Sequence, residues 1–261
     1  MELVAYRADG PVGHLTIQRP ERRNALNHRA LDELHDGVRR AASDGLRCLV
    51  LSGGDDQFCA GADLTELEDL SFTEALRHAL DDLAALPFPT VAAIPGACMG
   101  LGMQLALACD LRLATPEARF AVPVAKLGLM VDHWTVQRLG LLAGVSTARW
   151  MLLTAEPVTA ARAHDVGLVH QLVEPDGTGG STGPGAAVLA AADDLAGRLA
   201  RLAPLALAGS KLGLDLLERP GHVADPDGAY RAAFERAWAS EDLLEGRTAF
   251  GERRAPEFRG R

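Results

Sequence analysis

The 261-residue sequence has no excess of basic residues: 26 lysines and arginines stand against 35 aspartates and glutamates, for a formal net charge of −9. Proteins that bind nucleic acid or anionic membrane surfaces usually carry a basic excess. We therefore expect neither nucleic acid nor a membrane as a partner. A local cluster of arginines would still be enough to bind a small polyanion.

Cysteine is also scarce, and its four residues form no CxxC pair. Cys48, Cys59, Cys98 and Cys109 stand in apolar or small-residue runs without the spacing of metal ligands. Buried reduced thiols of this kind are typical of cytoplasmic proteins. The N-terminus lacks an export signal, and no apolar run is long enough to span a bilayer. The sequence thus predicts a soluble cytoplasmic protein without a metal site.

The most informative stretch of the chain runs from residue 90 to residue 110. Residues 90–94 have the apolar, β-branched character of a strand, and residues 97–102 are small and include two glycines. Residues 103–109 are apolar on nearly all sides, which predicts a short buried helix. A helix that starts after such a turn leaves backbone N–H groups without partners, which predicts an anion or oxyanion site. Close packing of helix on strand would also explain the glycines. The polar Gln104 favours a site, since a buried amide needs a partner.

The rest of the sequence alternates strands with amphipathic helices and ends in an Ala- and Leu-rich helical region. Further strands are predicted at residues 4–6, 14–17, 48–54, 111–114 and 167–173, and helices at residues 31–41, 72–83, 146–153 and 159–166. Asp132 is well placed to cap a helix that begins near Trp134. Residues 175–185 consist mainly of Gly, Ser, Thr and Pro, which predicts a flexible loop. Pro204 and Pro220 are expected to interrupt the helical region.

Three arginines lie in a polar loop near the N-terminus, at Arg19, Arg22 and Arg23. A solvated loop and a phosphate-contacting loop both fit this composition, because a guanidinium group matches the geometry of a phosphate.

These segments together resemble the crotonase superfamily, the enoyl-CoA hydratases and isomerases, over nearly the whole chain. The matching pieces are Arg19-Pro20, residues 24–27, residues 58–64, residues 96–110, Gly167-Leu168-Val169, Glu241-Asp242, Glu245-Gly246, Ala249-Phe250, Arg253-Arg254, Pro256 and Phe258. The resemblance implies an α/β fold, a crotonase-type spiral of ββα units. Residues 1–190 would form the acyl-CoA-binding body. Residues 191–261 would form a C-terminal helical region that drives assembly into a homotrimer or hexamer.

The resemblance also implies a ligand and a site. The ligand would be an acyl-CoA thioester, with coenzyme A as part of the ligand and no separate cofactor. The N–H groups of Ala62 and Leu101 would form an oxyanion hole, although Leu101 stands where the family usually has glycine. His133 could shape an acyl pocket or serve only in packing. The expected ligand contacts are Arg23, Ala25, Leu26, Ala60, Gly61, Asp63, Leu64, Gly100, Trp134 and Phe258, with Trp134 open to the same two interpretations as His133.

The sequence departs from the family at the two positions that carry catalytic glutamates in hydratases. These positions hold Gln104 and Val124. An amide has no useful basicity at neutral pH, and valine can neither accept nor donate a proton. One candidate acid–base group remains in Asp132, which falls where some members, such as the chlorobenzoyl-CoA dehalogenases, carry a catalytic aspartate. Its competing role is that of a helix cap. Within the family, the sequence most resembles a hydratase-like branch that lacks both glutamates. The resemblance implies binding of long acyl-CoAs.

Three functional hypotheses follow. The first is an enoyl-CoA hydratase-like protein of fatty-acid metabolism that binds fatty acyl-CoA with little or no hydratase activity and passes it to fatty-acid enzymes. The second is an active hydratase/isomerase-type enzyme that uses Asp132 or water in place of the glutamates. The third is a residual enoyl-CoA hydratase.

Overall fold

The computed structural model describes residues 2–65, 71–174, 183–217 and 228–261. Within these ranges the strands are β1 Val4–Asp9, β2 Val12–Ile17, β3 Cys48–Gly53, β4 Thr90–Ile94, β5 Ala97–Met99, β6 Leu111–Ala114, β7 Arg119–Ala121, β8 Val158–Thr159 and β9 Gln171–Leu172. The helices are α1 His28–Ser43, α2 Ser71–Ala84, α3 Leu101–Ala108, α4 His133–Thr154, α5 Ala160–Asp165, α6 Pro184–Leu199, α7 Pro204–Leu216, α8 Ala229–Trp238 and α9 Glu241–Glu252. No helix in these ranges is both long and apolar enough to cross a bilayer.

The strands form two sheets. The larger has the order β1-β2-β3-β4-β6-β9, in which β1 is antiparallel to β2 and the other neighbours are parallel. The smaller has the order β5-β7-β8. Strand β4 of the large sheet is followed after two residues by β5 of the small one, so the chain passes between the sheets at Pro95 and Gly96. The mixed α/β class expected from the sequence is confirmed.

Helices cover both faces of the large sheet, which explains why its central strands are apolar at every position. In β3, Leu49 and Leu51 join the main core with α1, α2 and α3. The alternate residues Cys48 and Val50 pack on the other face, against Val188 and its neighbours on α6. This period of two is the normal consequence of strand geometry.

The sequence placed most elements correctly, with three local differences. The run at 97–102 contains the short strand β5, which was not expected. Element α4 consists of two helical segments that meet at a kink at Gly144, which is non-helical at φ 75°, so the helices predicted on either side of it are confirmed. Of the strand predicted at 167–173 only β9 forms. Residues 183–185 of the predicted loop begin α6, with Pro184 as its first residue. The other loop residues, at 175–182, lie outside the described ranges, as does Pro220.

The C-terminal region is helical as expected, and the expected break at Pro204 is confirmed, since α6 ends at Leu199 and Pro204 is the first residue of α7. The expected boundary between residues 190 and 191 falls inside α6, which packs on the large sheet. Helices α7, α8 and α9 follow it. None of the residues of α7 is buried, although the helix is rich in Ala and Leu.

Candidate functional site

Two small-residue loops lie side by side where the large sheet meets the small one. Cys59 and Cys98 pair in a parallel β-bridge. The Cys59 N–H donates to the Ala97 carbonyl at 2.9 Å, and the Met99 N–H donates to the Cys59 carbonyl at 3.0 Å. The chain therefore runs in the same direction through both loops. Ala62 and Leu101 each lie three residues beyond the paired cysteines.

Glycine makes this close approach possible. A Cβ atom at Gly102 would lie 2.2 Å from the Cys59 carbonyl oxygen, which no side chain could tolerate. Gly61 has a φ of +121°, a conformation that residues with side chains rarely adopt. Gly61 and Gly102 are thus required by the contact between the loops.

The direction of the Ala62 N–H follows from the neighbours of the first loop, which contacts the second loop on one side through Cys59. On its other side the first loop pairs with Leu26, whose N–H donates to the Gly61 carbonyl at 2.9 Å and whose carbonyl accepts from the Asp63 N–H at 2.8 Å. In such a parallel bridge the residue between the two bonded groups directs its own N–H away from the partner strand. The Ala62 N–H therefore points away from Leu26 and has no acceptor among the described residues.

The start of α3 supplies further free donors. The Gly100 N–H donates to the Ala121 carbonyl at 2.9 Å, and the Gln104 N–H makes the first helical bond, to the Gly100 carbonyl at 3.1 Å. Between them, the N–H groups of Leu101, Gly102 and Met103 have no acceptor within the described ranges. Three unpaired donors at a helix N-terminus attract negative charge.

Helix α3 is anchored at its other end by a buried arginine that sequence reasoning missed. Arg112 is only 1% exposed. Its guanidinium donates to the carbonyls of Ala106 at 3.1 Å, Cys109 at 2.6 Å and Leu168 at 2.6 Å. Burial lowers the pKa of Arg112 to about 10. The charge compensates the carbonyl end of the helix dipole, so α3 is held firmly under the loop that begins it.

The arginine loop is ordered by its own side chains. Asn24 is fully buried; its Oδ1 accepts from the Arg19 N–H at 2.9 Å, and its Nδ2 donates to the carbonyls of Gly54 and Gln57 at 2.9 and 2.7 Å. The Arg23 carbonyl accepts from the Ala60 N–H at 3.0 Å, which ties this loop to the first small-residue loop. The side chain of Arg23 is exposed. The structural role of Asn24 was not predicted.

Arg19 does not match the phosphate-contact hypothesis. It is 5% exposed, and its guanidinium donates to the Ala25 carbonyl at 2.5 Å and to Asp63 Oδ2 at 3.2 Å. A hydrogen bond from Thr65 at 2.7 Å and the ion pair with Arg19 lower the pKa of Asp63. The Arg19 guanidinium is therefore used inside the protein, and that part of the hypothesis was wrong. The side chain of Arg23 is exposed, whereas the half-exposed Arg22 lies with its Nε 4.0 Å from Asp63 Oδ2.

The two positions without glutamates lie on different elements. Gln104 on α3 is 8% exposed, and its Nε2 donates to Thr135 Oγ1 at 2.8 Å. Val124 lies in a short 3₁₀ helix, Pro123–Leu127, and packs half-buried against the main core. Neither side chain can carry a proton at neutral pH.

Asp132 is the N-cap of α4, as predicted. Its Oδ1 accepts from the Thr135 N–H at 3.0 Å and from the Thr135 hydroxyl, and its Oδ2 accepts from Arg77 Nη1 at 3.1 Å. Burial acts to raise the pKa of Asp132, but the bonds from Thr135 and Arg77 outweigh it and lower the pKa. A carboxylate with both oxygens engaged and a lowered pKa is a weak base.

The expected acyl-pocket residues differ in exposure. Trp134 packs half-buried against the core, and the Arg77 guanidinium lies over its ring at 4.2 Å from the centroid. This distance is typical of a cation–π contact. His133 is exposed. Whether either touches a ligand stays a prediction.

The other expected contacts fall into two groups. Ala25, Leu26, Ala60, Gly61, Asp63, Leu64 and Gly100 all lie in or beside the paired loops, with Leu64 54% exposed. Phe258 lies apart from them: its carbonyl accepts from Arg47 Nη2 at 3.2 Å, and it lines an apolar cavity of about 660 Å³ with residues of α7, α8 and α9.

Comparisons with known proteins match nearly the whole chain. The sequence matches the family model described as Enoyl-CoA hydratase/isomerase over residues 7–261. It is 38% identical over 247 residues to the probable enoyl-CoA hydratase echA6 of Mycobacterium tuberculosis, covering 94% of this chain and 95% of that protein. It is 36% identical to the 2,3-dehydroadipyl-CoA hydratase of Escherichia coli, covering 95% and 94%. The fold is similar to that of an enoyl-CoA hydratase/carnithine racemase from Magnetospirillum magneticum, with a TM-score of 0.89, 29% identity and coverage of 100% and 97%.

Proposed function

The chain belongs to the enoyl-CoA hydratase/isomerase family, and within it we propose a protein that binds fatty acyl-CoA thioesters and has little or no hydratase activity. The observation that carries this proposal is a set of free backbone donors in a chain whose two glutamate positions hold residues that cannot transfer protons. Binding a thioester needs the donors, whereas adding water to a double bond also needs an acid and a base.

The oxyanion hole would consist of the Ala62 and Leu101 N–H groups. Both donors are unpaired among the described residues, and the Ala62 N–H points away from Leu26. Backbone donors in a preorganised site polarise a thioester carbonyl without reorganising. The Leu101 side chain leaves its own N–H free, so it does not prevent this role.

Loss of the glutamates removes the hydratase chemistry. Positioned acid–base catalysis by one group contributes about 100- to 10,000-fold to rate, and this site lacks both groups. Gln104 donates to Thr135, and Val124 is apolar. A bound acyl chain would therefore be held without being hydrated.

The contacts of Asp132 argue against the second hypothesis, an active enzyme that uses Asp132 in place of the glutamates. A general base must have a free lone pair aimed at the substrate, and it must be basic enough to take a proton. Asp132 instead accepts from Thr135 and Arg77, and its pKa is lowered. A capping role accounts for all of these contacts.

The coenzyme A portion would lie along the exposed side of the paired loops. Arg23 is exposed at the edge of the first loop, and Leu64 is half-exposed at its end. Guanidinium groups bind phosphate well, so Arg23 suits the phosphates of the nucleotide. Because the overall charge is −9, this local placement of arginine matters more than the charge of the whole protein.

We further propose that the chain assembles into a homotrimer or hexamer. Exposed apolar side chains concentrate on α4 and the C-terminal helices, with Leu141, Val145, Trp150, Leu153 and Trp238 between 54% and 78% exposed. Apolar surface of this extent usually marks a protein–protein interface. Assembly would place this apolar surface between subunits.

The bound acyl-CoA would be passed to fatty-acid enzymes in the cytoplasm.

Calorimetric titration with acyl-CoAs of several chain lengths, combined with incubation with enoyl-, hydroxyacyl- and haloacyl-CoAs, tests the proposal. We expect saturable binding and no product. Turnover that is lost in Asp132→Asn but retained in Gln104→Ala would favour the second hypothesis. Absence of binding to every acyl-CoA would contradict the proposal.

A further inference from the structure

A chain of hydrogen bonds connects Asp132 to Gln104 through one hydroxyl group. Thr135 is fully buried, and its hydroxyl lies between Asp132 Oδ1 and Gln104 Nε2. Arg77 on α2 pairs with the other carboxylate oxygen of Asp132 at 3.1 Å. The chain thus joins α2, the start of α4 and α3.

The number of protons available fixes the donor and the acceptor of each hydrogen bond in this series. An ionised carboxylate can only accept, so the single Thr135 proton goes to Asp132. The lowered pKa of Asp132 keeps it ionised at neutral pH. The Thr135 oxygen is then left as an acceptor, and only the NH₂ group of Gln104 can bond to it. The amide oxygen, Oε1, must point the other way.

Gln104 lies near Leu101, the residue of the proposed oxyanion donor, on the first turn of α3. The two residues are three apart on α3, so their side chains share one face about 5–6 Å apart. Leu101 at 4% and Gln104 at 8% retain exposure, whereas the five residues from Leu105 to Cys109 have none. Oε1 accepts no hydrogen bond from a described residue.

We propose that Thr135 and Asp132 are specificity-determining residues that hold Gln104 with its carbonyl oxygen toward the ligand, so that the site prefers an acyl group bearing a hydroxyl near the thioester. The inference rests on the proposed function, since it concerns the same site. With the thioester oxygen at the Leu101 N–H, a hydroxyl bound to Oε1 would lie on one of the first carbons of the acyl chain, because the two residues are three apart on α3. An acyl chain without a donor would leave Oε1 desolvated and unpaired.

A pair of ligands that differ only in this hydroxyl tests the inference. Decanoyl-CoA and 3-hydroxydecanoyl-CoA, each enantiomer separately, are titrated into the wild-type protein by calorimetry. We expect one hydroxylated enantiomer to bind about 5- to 10-fold more tightly, as for one net hydrogen bond. Equal or weaker binding of both hydroxylated ligands would overturn the inference while leaving the proposed function standing. If neither decanoyl-CoA nor the hydroxylated ligands bind, both fail.

Variants of Thr135 separate positioning from simple packing. Thr135→Val keeps the shape but removes the hydroxyl, which frees the amide to turn, and the preference should fall to about 1-fold. Thr135→Ser keeps the hydroxyl and should keep the preference, whereas Asp132→Ala removes the acceptor of the Thr135 proton and should reduce it. A Thr135→Val protein with the wild-type preference would overturn the inference. If Thr135→Val does not fold, Gln104→Met is tested instead. This variant lacks Oε1 and should lose the preference for the hydroxylated ligand. Retention of the preference would overturn the inference.

Discussion

Replacing Leu101 by proline would remove one proposed oxyanion donor with little damage to the helix. Leu101 is the first residue of α3, after the N-cap Gly100, and its N–H has no acceptor within the described ranges. Proline is well tolerated at the first helical position, because no helical hydrogen bond is lost there and its φ suits a helix. Leu101→Pro therefore deletes the N–H while keeping the backbone path.

The matched control is Leu101→Ala, which keeps the N–H. Both variants lose a side chain that is only 4% exposed, and large-to-small changes at buried sites cost about 2–5 kcal/mol of stability. The difference between the two variants isolates the donor. A net hydrogen bond to a neutral carbonyl contributes about 1 kcal/mol, so the Kd of decanoyl-CoA should be about 5-fold higher in Leu101→Pro than in Leu101→Ala.

Calorimetry with decanoyl-CoA and with free coenzyme A gives the required comparison. Free coenzyme A lacks the thioester oxygen, so it should bind equally well to the two variants. Equal affinity for decanoyl-CoA as well would refute the assignment of Leu101 to an oxyanion hole. A loss of affinity for both ligands would show that proline distorts the loop, and would also count against the reasoning.

Three further changes have defined outcomes. Arg112→Met should lower the free energy of unfolding by about 3–5 kcal/mol, because three buried carbonyls lose their donor. Urea denaturation measures this change, and a loss below about 1 kcal/mol would contradict the anchoring role. Asp63→Asn should cost about 3 kcal/mol at pH 7, because it breaks a buried ion pair with Arg19. The pKa of Asp63 is lowered, so this advantage of the wild type is present above pH 3.8 and should shrink as the pH falls further; a gap that does not depend on pH would count against it. The double variant Gln104→Glu, Val124→Glu should hydrate crotonyl-CoA at least about 100-fold faster than the wild type, and unchanged rates would show that these positions do not flank the reacting carbons.

Local patterns predicted those parts of the fold that local forces determine. The capping role of Asp132 depends on a residue three positions away, and the structure has that bond. The buried helix at α3 follows from its uniformly apolar sequence, and the amphipathic helices α1 and α2 follow from their periodicity. The glycines of the paired loops also indicated a close approach of backbones, which Gly102 and Gly61 make possible.

Contacts between distant parts of the chain could not be read from the sequence. Arg19 was compatible with a solvated loop because its partner Asp63 lies 44 residues further on. Gln104 was known to need a partner, but Thr135 is 31 residues away. Arg112 stands between two leucines in a strand, a pattern that normally directs the charged residue to solvent, and only the tertiary structure shows that it caps α3. Strand β5 forms because it pairs with β7, since three residues are too short for a periodic signal.

The central claim is that this site holds a thioester but cannot hydrate it, and a single-turnover experiment with crotonyl-CoA tests that claim most directly. Protein in excess over ligand is mixed with crotonyl-CoA, and the loss of enoyl-thioester absorbance is followed after calorimetry has established binding with the same preparation. We predict a hydration rate below about 0.01 s⁻¹, at least 100-fold under the slow end of ordinary enzyme turnover at about 1 s⁻¹. A rate of about 1 s⁻¹ or more would contradict the account.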